Sequence, residues 1–181
     1  MQSIFINSLF VLAAFTGMEV IAWLTHKYIM HGILWKLHKD HHKKESDGFI
    51  EHNDFFFLIF ALPGIAGLFW GVIYHFNFLF WCGLGISLYG MAYFLVHDVF
   101  IHQRFKIFRN TDNSYLRAIR RAHKMHHKHL GKEDGECFGM LFIPFKYFRS
   151  SKTKSASWNL FTCWLISSRL LYPCCFPFTR E

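Results

Sequence analysis

The sequence predicts an all-α, integral-membrane helical bundle of about three to four transmembrane helices, and three observations carry that reading. The chain has 181 residues, of which 52% are hydrophobic, 20% aromatic and only 18% charged, a balance foreign to a soluble domain of that length. Its apolar residues fall in runs long enough to cross a bilayer. Its basic residues are confined to segments outside those runs.

The first run, residues 3–24, contains a single ionisable side chain, Glu19. At a rise of about 1.5 Å per residue it covers a hydrocarbon core of about 30 Å. No Lys or Arg precedes it and no small-residue cleavage pattern follows, so it reads as a membrane helix and not as a secretory leader. Two further spans are expected at residues 55–74 and 78–101, with His75, Phe76 and Asn77 as a tight hairpin tip and Pro63 kinking the second span.

Eighteen of the twenty basic residues lie in segments 27–44 and 104–154. An even number of crossings separates the two segments, so they share a side, and the positive-inside rule makes that side cytoplasmic. The formal charge of +8 therefore reads as topology and lipid contact, and apolar runs of this kind argue against nucleic acid as the partner. The five cysteines, Cys82, Cys137, Cys163, Cys174 and Cys175, form no CxxC pair and read as reduced. Residues 1–149 are expected to form the membrane domain, and residues 150–181 a tail whose apolar run is broken by Arg169 and Pro173.

Histidine is the compositional anomaly: there are thirteen, and ten of them form four spaced motifs. The motifs are HxxxxH at His26 and His31, HxxHH at His38, His41 and His42, HxxxxH at His97 and His102, and HxxHH at His123, His126 and His127. The second pair of motifs repeats the first in chemistry. On a helix turning about 100° per residue, the rings of HxxHH stand at about 0°, −60° and +40°, a single multidentate face. Residues five apart are about 140° apart on a regular helix, so each HxxxxH pair is expected to serve two ions, or to sit where its helix unwinds. The segment before His123 offers Asp112 or Ser114 as an N-cap.

Ten imidazoles divided between two ions give each about five nitrogens and an open position. Zinc prefers four ligands, and a structural zinc site recruits cysteine, so a six-coordinate redox metal points to iron: a histidine-rich di-iron site on the cytoplasmic side. Such a neutral ligand set needs carboxylates behind it, and Glu19, Asp40, Glu51, Asp54 and Asp98 are the candidates. Glu19 and Asp98 stand out because they lie within or at the end of apolar segments. His52, His75 and His129 stand outside the motifs and read as interfacial residues.

These residues resemble the bacterial β-carotene hydroxylases of the membrane fatty-acid hydroxylase and sterol desaturase superfamily. The resemblance covers about residues 17–144. It rests on Gly17-Met-Glu-Val20, the motif from His26 to Gly32, Asn53-Asp54, His97-Asp98 with His102-Gln-Arg104, His123 through His127, and the stretch from Gly131-Lys-Glu133 to Phe138-Gly139. It implies two non-haem irons held by the ten motif histidines, dioxygen as co-substrate and electrons from a ferredoxin-type donor. It further implies 3-hydroxylation of the β-ionone rings of β-carotene, through β-cryptoxanthin to zeaxanthin. His52 departs from the apolar residue expected before Asn53-Asp54. The partners implied are a lipophilic carotenoid, membrane lipid and an acidic electron carrier docked on Arg117, Arg120, Arg121 and Lys124. Two rival readings are the same chemistry on a fatty acid or sterol, and a histidine-rich metal transporter, which would place its ligands near the bilayer midplane.

Overall fold

The computed structural model describes residues 3–43, 50–105, 107 and 110–148, and every regular element among them is helical. The expected tail at 150–181 lies outside the described residues. Three helical spans are long and apolar enough to cross a membrane, Ile4–Ile33, His52–Ile73 and Phe78–Ile101. Large apolar side chains stand exposed along them, Phe5 at 73%, Leu62 at 62% and Phe69 at 59% among them. In water that surface would be a liability; in a bilayer it faces hydrocarbon tails. The protein is an integral membrane protein.

Helix α1 (Ile4–Leu24) starts where Ser3 Oγ accepts from the Ile6 amide and runs directly into a π-helical stretch, Thr25–Ile33. After a break in helical geometry at Gly32, α2 (Trp35–His42) follows. A 3₁₀ turn, His52–Asp54, leads into α3 (Phe55–Ile73), which continues through Pro63 as one helix. His75 and Phe76 then adopt left-handed φ values of 56° and 57°, and Asn77 caps α4 (Phe78–Phe94) through the Leu79 amide. The hairpin tip is where the sequence placed it. Helix α4 also passes into a π-helical stretch, Leu95–Ile101. Helix α5 (Ser114–Lys128) is capped by Asn113, whose Oδ1 accepts from the Leu116 amide at 3.1 Å, and not by the expected Asp112 or Ser114. Asn113 is the residue with extended backbone immediately before the first turn, so its side chain is the one in reach of the free amide.

Glycines set how closely the spans approach. A Cβ on Gly83 would sit 2.6 Å from the Leu68 amide nitrogen, and one on Gly67 would sit 2.9 Å from the Gly83 Cα. Small residues at such crossings let membrane helices gain backbone contact that lipid cannot supply. Gly83→Leu is expected to destabilise the α3–α4 pair by at least about 1–3 kcal/mol, seen as aggregation in detergent size-exclusion chromatography.

The ends of α1 and α4 and the start of α3 meet at one end of the bundle, where α2 and α5 cover them. Helix α5 buries Ala118, Ala122 and His126, each four residues apart, so one stripe carries both core packing and a site histidine.

Candidate metal centre

The ten motif histidines, scattered over about a hundred residues of sequence, come together at that end of the bundle, and eight of them are less than 9% exposed. Nine fall into two groups whose nitrogens lie within 4.8 Å of one another. The first group is His26, His31, His38, His42 and His126; the second is His41, His97, His102 and His123. The tenth, His127, packs its ring 4.5 Å from His123 and 4.9 Å from His102, and also stacks 4.6 Å from His42. Its buried Nε2 has no hydrogen-bond partner.

The division differs from the one the helical wheel predicts. Both members of each HxxxxH pair enter the same group, because these pairs sit in the π-helical stretches. There the backbone bonds run five residues back, as from the His102 amide to the His97 carbonyl at 2.9 Å, which stacks residues five apart on one side. Each HxxHH motif is the one that divides. His38 and His42 stay in the first group while His41 crosses to the second; His123 stays in the second while His126 crosses to the first. The rings at +40° and −60° on the wheel are about 100° apart, enough to reach two centres.

Ring orientation is set from behind. In the first group His26 Nδ1 donates to the Phe138 carbonyl (3.0 Å), His31 to Lys132 (3.2 Å), His42 to His129 (3.0 Å) and His126 to Glu136 (2.9 Å). His38 Nδ1 donates to Asn53 Oδ1 at 2.6 Å. In the second group His41 donates to Glu51 (3.0 Å) and His97 to Asp98 (3.2 Å). Oxygen acceptors of this kind fix the proton on Nδ1 and leave Nε2 with a bare lone pair. Those lone pairs face each other: His26 and His38 at 3.1 Å, His38 and His42 at 3.2 Å, His31 and His126 at 3.2 Å, His41 and His97 at 3.0 Å. Two acceptors cannot bond one another, but metal–nitrogen bonds of about 2.1 Å at right angles put neighbouring nitrogens about 3 Å apart. The donor set therefore fits a metal ion in each group.

Burial and mutual repulsion keep seven of the rings unprotonated, as a metal site requires. Burial lowers His42 to about 4, His126 to about 3 and both His38 and His127 to about 2, and pushes His41, His102 and His123 well below their ordinary value.

Of the five carboxylates expected behind the rings, Asp98 and Glu51 accept from motif histidines. Glu19 lies one level deeper: it takes the amides of Met140, Leu141 and Phe142 at 2.8–3.0 Å and the Tyr89 hydroxyl at 2.7 Å. Asp40 pairs with His52, through its amide at 2.6 Å and ring at 2.8 Å, which explains the histidine found where an apolar residue was expected. Asp54 accepts from the Glu51 amide and pairs with Arg104. Backbone carbonyls and Asn53 take most of the role assigned to carboxylates, and backbone groups leave no mark in a sequence. Arg104 was also missed as a site residue, although its place two residues after His102 was visible.

Beneath the histidines lies an apolar cavity of about 510 Å³ between α1, α3 and α4. Both His26 and His97 reach it, so it opens on both groups. From Phe56 to Ile65 its wall climbs α3 into the membrane span, about 14 Å at the helical rise.

Residues 11–148 match the fatty acid hydroxylase family. The chain belongs to the fatty acid hydroxylase family. Its relatives include the beta-carotene hydroxylase of Pantoea ananas, 41% identical over 138 residues that cover 76% of this chain and 78% of that protein. The beta-carotene hydroxylase of a Paracoccus strain is 36% identical over 143 residues, covering 76% and 85%. The chloroplastic beta-carotene 3-hydroxylase of an Oncidium hybrid is 42% identical over 134 residues, covering 72% of this chain and 42% of the plant protein. No solved structure matches. As a fatty acid hydroxylase family member the chain is an oxidoreductase, and its two buried histidine groups could each hold a metal ion.

Proposed function

We propose that the protein is a membrane di-iron monooxygenase that hydroxylates C3 of the β-ionone rings of β-carotene, giving β-cryptoxanthin and then zeaxanthin. The observation that carries this reading is the pairing of two facing sets of Nε2 lone pairs with an apolar cavity that touches both. The substrate class is the one for which the relatives are named. Two irons held by the ten motif histidines would supply the activation of dioxygen needed to convert C–H to C–OH, with two electrons and two protons reducing the second oxygen atom to water.

The chain's own residues do the rest. Phe138, Lys132, His129 and Glu136 hold their histidines through backbone carbonyls, and Asn53, Glu51 and Asp98 through side chains. The cavity receives one ring end and keeps water from it, while the remainder of a molecule about as long as the hydrocarbon core is thick stays in lipid. Exposed Arg117, Lys124 and Lys128 share one stripe of α5 and suit an acidic ferredoxin-type carrier. Arg120 and Arg121 are turned inward to the carbonyls of Phe100 and Tyr147. The basic residues favour a cytoplasmic location for this face.

Expression in cells that make β-carotene, followed by pigment analysis, tests the substrate. Zeaxanthin and β-cryptoxanthin are expected; unchanged β-carotene beside folded, iron-loaded protein would overturn the carotenoid assignment. Gly90 lines the cavity and has open space around its Cβ position. Gly90→Leu should therefore fill the cavity without disturbing packing, lowering conversion by about tenfold or more, the order of one or two lost methylene-sized contacts, at unchanged iron content.

A further inference from the structure

We propose that Arg104 is a positioning residue for the second centre, clamping Glu51, Asp54 and Asp98 so that the carboxylates behind His41 and His97 make the two bound ions chemically unequal. The inference rests on the di-iron reading above and deepens it.

The chain after the second π-helical stretch turns through Gln103, at φ 54°, and the Arg104 amide bonds the Asp98 carbonyl at 3.0 Å. That turn sends the guanidinium back beneath the histidines, with only 15% of the side chain exposed. Its Nη1 and Nη2 grip Asp54 at 3.0 and 2.6 Å, Nη2 lies 3.4 Å from Glu51 Oε2, and Nε lies 3.1 Å from Asp98 Oδ1. Glu51 Oε2 is the atom that accepts from His41, and Asp98 Oδ2 the atom that accepts from His97. One planar fork thus spans the two carboxylates that orient two ligands arriving from different motifs, a geometry a guanidinium supports and an ammonium does not.

The contrast with the first group is chemical. Its five Nδ1 acceptors are four backbone carbonyls and one amide oxygen, all neutral. Behind the second group stand three carboxylates and one guanidinium, a formal charge of −2. An imidazole that donates to a carboxylate is a stronger metal ligand than one that donates to a carbonyl. The second centre therefore holds its ion more tightly and favours the more oxidised state, and Arg104 keeps the two carboxylates in register for that purpose.

The test uses the full chain in detergent, loaded anaerobically with ⁵⁷Fe(II), and reads iron release to a graded chelator together with Mössbauer spectra. Wild type is expected to release iron in two phases and to show two quadrupole doublets of equal area. His26→Ala and His123→Ala identify which phase belongs to which centre. Arg104→Gln should weaken the tighter phase by about 10–100-fold and change one doublet, leaving the other phase and doublet as they were. Arg104→Lys should restore only part of the loss. Asp98→Asn reads the same arm if the arginine variant does not fold. A single release phase with one doublet, or equal weakening of both centres in Arg104→Gln, would overturn the proposal while leaving the di-iron reading intact. Wild-type protein that takes up no iron would overturn both.

Discussion

His41→Ala is expected to behave as a second-centre variant, although its motif neighbours His38 and His42 belong to the first. Hydroxylated pigment should fall by well over 100-fold, beyond the range for loss of an outer hydrogen-bond partner, and iron should be lost from the centre that His97, His102 and His123 share. The reason is geometric. His41 faces His97 across 3.0 Å and leans on Glu51, while His38 and His42 turn to His26 and His31. His126→Ala should do the converse, since His126 faces His31 at 3.2 Å and enters the first group. Chelator release of iron from each variant, set beside His38→Ala and His123→Ala, checks the exchange. Grouping of His41→Ala with His38→Ala would mean that the motifs, and not the clusters, define the two sites.

The second large effect is expected at Glu19, which touches no motif histidine. Its Oε1 accepts from three consecutive amides, Met140, Leu141 and Phe142, and its Oε2 from the Tyr89 hydroxyl, at 4% exposure. Glu19→Ala strands three backbone donors at about 1–3 kcal/mol each, which approaches the whole stability of a typical domain. The segment it anchors carries the Lys132, Glu136 and Phe138 carbonyls that orient His31, His126 and His26. Glu19→Ala should therefore open residues 132–142 to limited proteolysis and release first-centre iron, with Glu19→Gln milder because one amide oxygen remains to accept. An intact proteolysis pattern in the alanine variant would contradict this anchoring role.

Much of this organisation was legible in the residues. Three apolar runs with one acidic residue in the first gave the spans, and His75, Phe76 and Asn77 gave the turn. The ten spaced histidines that the structure gathers were the ones the sequence singled out. What failed was the single-face reading of HxxHH, since two facing centres divide His41 from His42. The two-ion reading of HxxxxH failed too, since a π-helical turn unites His26 with His31, in line with the alternative that such a pair sits where its helix unwinds. Nothing local in Thr25–Ile33 announces the wider turn. The acceptors behind the rings were hidden for a similar reason. Carbonyls such as that of Phe138 belong to every residue, and long-range partners such as Glu19 and Met140 are 121 positions apart. Asn53 and Arg104 were visible in the resemblance, but Asn53's role emerges only when the 3₁₀ turn lies against α2, and Arg104's only when residues 51–54 lie against the chain that follows the second π-helical stretch.

Iron K-edge X-ray absorption on the purified, iron-loaded full chain, with metal content measured on the same sample, tests the two-centre arrangement most directly. About two irons per chain in a shell dominated by imidazole nitrogens near 2.1 Å is the expected result. One iron per chain, zinc in place of iron, or a shell dominated by carboxylate oxygen would contradict it.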